Sequence, residues 1–219
     1  MCHWTKEENE LVVAMLERRP DLASCVKDMY EFHQALSACF DQRRYFFTCG
    51  NGGSHADALH IVGELCKSFE RKRPLEKTFR ETLDVLPYGK EVAAHLETGL
   101  PAITLGLNGA LKTAVENDCA LPNIAFAQEL NALMATGDML LAISTSGNAR
   151  NCMMALSVAK AHGGITAVLT GPAGGEMGAF ADIVIKAPGD STKTVQEAHA
   201  TIWHTLCLLI EARYFPEMR

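Results

Sequence analysis

Two short segments, far apart in the chain, carry the residue types that hold oxygen-rich ligands. The first is Gly50-Asn51-Gly52-Gly53-Ser54 and the second is Ser144-Thr145-Ser146-Gly147-Asn148. In the first, glycines permit positive φ and leave no side chain between backbone N–H groups and a ligand oxygen. Those amides would lie near the positive end of a following helix, and Asn51 and Ser54 add hydrogen-bonding groups. The second presents three hydroxyls, which suit a phosphate monoester without requiring Lys or Arg. The first segment lacks the Gly-Lys-Ser/Thr ending of a Walker A loop and does not fit Gly-x-Gly-x-x-Gly. Taken singly, each segment is also explained as a tight strand-to-helix turn or a helix cap.

Two further pairs supply acid–base groups. His60 and Glu64 are four apart, so a helix sets them on one face. Gln196 and His204 are eight apart, roughly 80° from one another around a helix. They sit beside an apolar stripe of Val195, Ala198, Ile202, Leu206 and Leu209, from which they can point into a pocket. His60 alone reads as a satisfied core histidine, and His60 with Glu64 alone fits a surface helix pair as well as it fits a site. Neither reading accounts for Gln196, His204 and the two loops together.

The elements that must position these residues alternate. Leu11, Val12, Met15 and Leu16 have helical spacing, and Pro20 stops that run. A second amphipathic segment runs from about Leu22 to Phe40, with His33 on its stripe. Tyr45–Cys49 reads as the first strand, and Ser54–Lys67 as the helix after it. The stretch 71–99 is largely polar, with Pro74, Pro87 and Gly89, and reads as an excursion with helical pieces. Ala102–Leu105 is a short strand, followed by helices over Leu111–Glu116 and Phe126–Leu133. Met139–Ile143 is a continuous apolar run suited to a parallel strand covered on both faces. A helix over Asn148–Ala161, strands over Ile165–Leu169 and Ile183–Ile185, and a last helix over Thr194–Ala212 complete the pattern. Such alternation predicts an α/β fold, a parallel sheet flanked by helices. Right-handed crossovers then gather both loops at the carboxyl edge, where open sheets bind ligands.

Bulk properties narrow the function classes. The chain has 219 residues, 48% apolar and 21% charged, with a formal net charge of −6. There is no global basic field for nucleic acid, so an anionic substrate must be caught by local amides and hydroxyls. No apolar stretch approaches a membrane span, so no membrane partner is expected. No basic n-region with an apolar h-region is visible, and a cytoplasmic location is expected. The eight cysteines are scattered without a Cys-x-x-Cys pair, and Cys49, Cys66 and Cys207 sit in apolar surroundings. They read as buried, reduced thiols.

Together the motifs resemble the sugar isomerase (SIS) domain family, nearest its phosphoheptose isomerase members. The resemblance rests on Gly50-Asn51-Gly52-Gly53-Ser54-His55, Asp57-Ala58, His60, Glu64, Asn117-Asp118, Ser144 to Asn148, Leu169-Thr170-Gly171, Gln196-Glu197 and His204. It runs from about Tyr45 to the C-terminus, giving an SIS domain over 45–219 behind an N-terminal helical arm over 1–44. The resemblance implies aldose–ketose isomerisation of sedoheptulose 7-phosphate to D-glycero-D-manno-heptose 7-phosphate through an enediol or enediolate. It implies Glu64 as the base and His204 as the acid partner. It implies that Asn51, Gly52, Gly53, Ser54, Asn117, Asp118 and Gln196, with Glu64 itself, contact the sugar. Ser144, Thr145 and Ser146 would hold the phosphate. The resemblance further implies zinc on His60, Glu64, Gln196 and His204, and a homo-oligomer, specifically a tetramer. His and carboxylate are ordinary zinc donors, and a neutral Gln oxygen is a weaker one.

The chain departs from the family pattern at Ala149, where another serine is common. Arg150 is available beside it. His199 lies on a different face from His204, and the 71–99 stretch looks longer than in compact members. Two other readings follow from the same motifs: an SIS enzyme acting on another sugar phosphate, and a noncatalytic SIS adaptor. An adaptor needs neither Glu64 nor His204.

Overall fold

Residues 2–216 are described by a computed structural model, and the helices begin and end where local chemistry dictates. Thr5 caps α1 (Lys6–Arg18) in a reciprocal capping box with Glu8. Pro20 opens a 3₁₀ turn over Pro20–Cys25, which leads into α2 (Val26–Asp41). The second helix of the sequence pattern is therefore two pieces, a 3₁₀ turn that Pro20 opens and α2 after it. The order then runs β1 (Phe46–Gly50), α3 (Gly53–Cys66), α4 (Lys77–Asp84), α5 (Gly89–His95), β2 (Ala102–Thr104), α6 (Gly109–Asp118) and α7 (Ala125–Leu133). It closes with β3 (Met139–Ser144), α8 (Arg150–Ala161), β4 (Ile165–Thr170), α9 (Gly175–Phe180), β5 (Ile183–Lys186) and α10 (Thr192–Tyr214).

The sheet is parallel throughout, in the order β2-β1-β3-β4-β5. The chain leaves β1 toward one edge and returns across it to β3, so the winding reverses between these two strands. That switch point is where an open α/β sheet leaves a crevice outside its carboxyl ends. Gly50 pairs with Ile143 in register, so the loops after β1 and β3 emerge side by side.

Alternation along the strands builds two cores. Phe46, Met139, Leu141, Ile143 and Leu169 face α2, α3 and α10, with Met15 of α1 beneath. Phe47, Cys49, Leu140, Ala142 and Val168 face α7 and α8. The N-terminal helices thus pack in the same core as the helix carrying Glu64 and the helix carrying His204.

Several expectations are corrected. α9 was not foreseen, because Gly174 and Gly175, both at positive φ, read as breakers. α8 begins at Arg150 rather than Asn148. α10 begins at Thr192, where Ser191 and Thr194 form a capping box, and runs through Tyr214. Cys66, expected to be buried, is exposed at the end of α3; all eight cysteines are free. The excursion carries α4 and α5, yet it also contains Arg73, which is fully buried. Among the described residues, no helix is long and apolar enough to cross a membrane.

Candidate active site

The hydroxyl loop after β3 is not a helix cap. The N-cap of α8 is Ala149, and it makes no side-chain capping bond. Gly147 adopts φ +67°, and a Cβ there would fall 1.9 Å from the Gly174 carbonyl oxygen, so only glycine fits. The Met177 N–H donates to Gly147 O (2.9 Å) and the Glu176 N–H donates to Asn148 Oδ1 (3.0 Å), which fastens the loop to α9. Ser146 Oγ accepts the Asn148 N–H (3.2 Å) and lies 3.5 Å from Ser144 Oγ. Thr145 and Ser146 line a cavity of about 220 Å³ with Pro172, Ser191, Thr192 and Val195. The start of α10 therefore contributes hydroxyls and its helix N-terminus to the same hollow. Ser191 and Thr192 were missed by sequence reasoning, although a Ser-Thr pair before an apolar stripe is a helix-start signal.

The loop after β1 likewise lacks a side-chain cap: Gly52, the N-cap of α3, sits at φ +55°. Asn51 exchanges two amide hydrogen bonds with Asn151 of α8 (2.9 and 2.8 Å), joining the two loops across the switch point. Asn151 had no sequence signal of its own. A Cβ built on Gly53 would lie 2.5 Å from Gln196 Nε2, so the Gln196 amide rests on the loop backbone. Ser54 is buried at the first turn of α3.

One and a half turns or more further along, α3 and α10 bring the acid–base groups together. His60 Nε2 lies 2.9 Å from Glu64 Oε1. Glu64 is largely buried, with Lys67 Nζ 3.5 Å from its other oxygen. The His60 ring packs 4.7 Å from Trp203 and 5.3 Å from His204, edge to face with the latter. His204 is stacked on Phe69 at 5.8 Å and lines a cavity of about 300 Å³ with Arg18, Phe69 and Thr201. His204 Nδ1 is 2.7 Å from Ala200 O. A carbonyl oxygen only accepts, so Nδ1 carries the proton and neutral His204 presents a bare Nε2. Burial lowers the His204 pKa below the usual histidine value, partly opposed by the Ala200 carbonyl, so the neutral form prevails at pH 7. Asp57, one turn before His60, is raised by burial; Trp203, His60 and His204 oppose that rise.

Two groups stand apart from this arrangement. Asn117 and Asp118 are exposed at the end of α6, and Asn117 Nδ2 donates to Asp118 Oδ1 (2.8 Å). Neither hydrogen-bonds to the two loops. The zinc expectation also fits a single chain poorly. His60 and Glu64 engage one another, Gln196 lies two turns from His204 against Gly53, and no three His, Cys, Asp or Glu side chains among the described residues converge on a common point.

The chain resembles known proteins over most of its length. The SIS domain family matches residues 120–210. The phosphoheptose isomerase of Coxiella burnetii (strain RSA 331 / Henzerling II) is 34% identical over 186 residues, covering 84% of this chain and 81% of the relative. That of Geotalea daltonii is 39% identical over 186 residues, covering 85% and 84%. The solved structure of a phosphoheptose isomerase from Francisella tularensis superposes with a TM-score of 0.72 at 27% identity, over 92% of this chain and 95% of that one.

Proposed function

The chain belongs to the phosphoheptose isomerase family of SIS-domain proteins, and from that premise we propose that it interconverts sedoheptulose 7-phosphate and D-glycero-D-manno-heptose 7-phosphate. The observation that carries this reading is the meeting of Glu64 and His204, through His60, where α3 meets α10, the helix whose N-terminus shares a hollow with loop hydroxyls that cap no helix.

The phosphate would sit on the Thr145–Ser146 side, taking hydrogen bonds from hydroxyls and from the α10 N-terminus. The sugar would then run along the Gly52–Gly53 backbone and the Gln196 amide. Opening the Asn51–Asn151 pair frees two amides for sugar hydroxyls without leaving either amide buried, since both residues lie at the surface. Asn117 and Asp118 remain in the sugar-binding proposal on family resemblance.

Glu64 as a carboxylate takes the C1 proton of the ketose, and the electrons move into a C1–C2 double bond. Neutral His204 accepts the O1 proton at Nε2, and as imidazolium it donates to O2. Glu64 returns its proton to C2 as O1 becomes the aldehyde oxygen, so both residues end as they began. The acid role assigned to His204 thus becomes a two-way shuttle, because its Nδ1 proton is committed to Ala200 O.

Glu64→Gln tests the base. The variant should fold as the parent and lose on the order of 10²–10⁴ in turnover of sedoheptulose 7-phosphate, the usual contribution of a positioned base. Parental turnover would remove Glu64 from that role. Zinc held by His60, Glu64, Gln196 and His204 requires the His60–Glu64 hydrogen bond to open. Chelator treatment with elemental analysis decides this: unchanged activity in metal-free protein supports acid–base chemistry by the side chains alone. Loss restored by zinc supports the metal site. We further propose a homotetramer, in keeping with the family resemblance, to be checked by light scattering.

A further inference from the structure

The α3 helix ends at Cys66, and the carbonyls of its last turn need partners from outside the helix. Two of them, at Glu64 and Leu65, meet one residue, and Leu65 O also accepts the Leu100 N–H (2.9 Å). Arg73 Nη2 donates to Glu64 O (2.9 Å) and Nη1 donates to Leu65 O (2.8 Å). A cation at this end also complements the helix dipole. Arg73 Nε donates to Glu211 Oε1 (2.9 Å), and Phe215 covers the guanidinium at 4.7 Å. Both charged side chains are fully buried.

Glu211 is equally occupied. Its carboxylate accepts the backbone N–H groups of Phe69 (2.9 Å), Glu70 (2.8 Å) and Arg71 (3.2 Å). These bonds fix the strap 69–73, whose Phe69 ring stacks on His204. His204 and Glu211 are seven apart on α10, so they share a face. The ion pair therefore holds the backbone of Glu64 at one end and the ring partner of His204 at the other. A buried ion pair is a weak source of net stability compared with apolar packing of the same volume. What this one supplies is a fixed spacing between the two helices.

We propose that Arg73 and Glu211 are positioning residues of the isomerase site, setting Glu64 on α3 against His204 on α10. The proposal rests on Glu64 and His204 being the acid–base pair.

The test replaces the pair with apolar side chains of similar size, Arg73→Met with Glu211→Leu. This removes the fork on Glu64 O and Leu65 O and the acceptor of the three strap N–H groups, while leaving no unpaired buried charge. Circular dichroism and thermal melting should report a folded protein. Turnover of sedoheptulose 7-phosphate should fall on the order of a hundredfold in kcat, the scale of a small misplacement of reacting groups, with KM within about twofold of the parent. Apart from Glu64, the proposed phosphate and sugar contacts lie on the two loops, on α6, or about four turns or more from Glu211 along α10, so KM is the control that a general loss of structure would not spare. A folded double variant with parental kcat, or a loss confined to KM, overturns the proposal. If the double variant does not fold, Arg73→Lys carries the comparison. It keeps the charge and loses the two-armed fork; lowered kcat at unchanged KM supports the proposal, and parental kcat overturns it. Glu64→Gln run alongside separates the two layers. If Glu64→Gln is as fast as the parent, the base assignment and this proposal fall together. If it is inactive and the double variant is not, this proposal alone falls.

Discussion

Gln196 is held by the absence of a side chain opposite it. Its amide lies where a Cβ on Gly53 would stand, at 2.5 Å, and the approach is to the end of a flexible side chain rather than to backbone. Gly53→Ala should therefore displace the Gln196 amide without breaking the turn. Gly53 is at the first position of α3, where alanine is well tolerated. We expect a folded protein of near-parental Tm with kcat/KM lowered by about tenfold, equivalent to one lost polar contact of about 1.4 kcal/mol. A second substitution, Gln196→Ala, gives the same loss if the amide is the mediator, and adding Gly53→Ala to it then costs nothing more. Additive losses in the double variant would show that Gly53 acts through its own backbone instead.

At the scale of elements, the site is a consequence of the β1/β3 switch point, and the β3–α8 loop depends on one residue that only glycine can be. Gly147→Ala would drive a methyl into the Gly174 backbone at a positive φ, so two rigid segments must part. The expected result is a large rise in KM for phosphorylated sugar, with partial loss of thermal stability. Ser146→Ala, which changes no backbone, should raise KM by about tenfold with Tm unchanged, one hydroxyl contact being lost. Elements of this kind were legible in the chain because their signals are local: apolar runs mark β1, β3 and β4, and glycine with hydroxyls marks the turns between them. The pairing of α3 with α10 was foreseen only through the family resemblance, since nothing in the spacing of His60 and Glu64 points to residues at the far end. Asn151, Arg73 and Glu211 were not legible at all. Each owes its role to a partner distant in sequence, and Arg73 is hidden in a polar stretch that reads as solvent-facing. α9 was masked for the opposite reason, because its local signal is that of a breaker.

For the whole molecule, histidines folded into the core without charge weaken the fold as pH falls. His199 on α10 is fully buried, and neither ring nitrogen has a well-formed hydrogen bond. Burial pushes its pKa down to about 4, with the Thr170 backbone opposing this only weakly. His33, packed on Trp4 and facing Glu8, is lowered for the same first cause, burial, with Glu8 working against it. In the unfolded chain a histidine takes up its proton near pH 6.5. Between that value and about pH 4 the unfolded state binds more protons than the folded one, so stability falls as pH falls. The His199 contribution is whole above pH 6.5 and gone below about pH 4, amounting to at most about 3.5 kcal/mol at roughly 1.4 kcal/mol per pKa unit. His199→Leu replaces an unpartnered imidazole with an apolar side chain, so it should fold and should keep more of its stability at low pH. Denaturant unfolding at pH 7, 6, 5 and 4.5 measures this directly. The parent should lose stability steadily across the series and the variant should lose distinctly less. Parallel curves for the two proteins would mean that His199 is protonated in the fold as readily as in the unfolded chain, and that the acid sensitivity lies with His33 and the buried carboxylates.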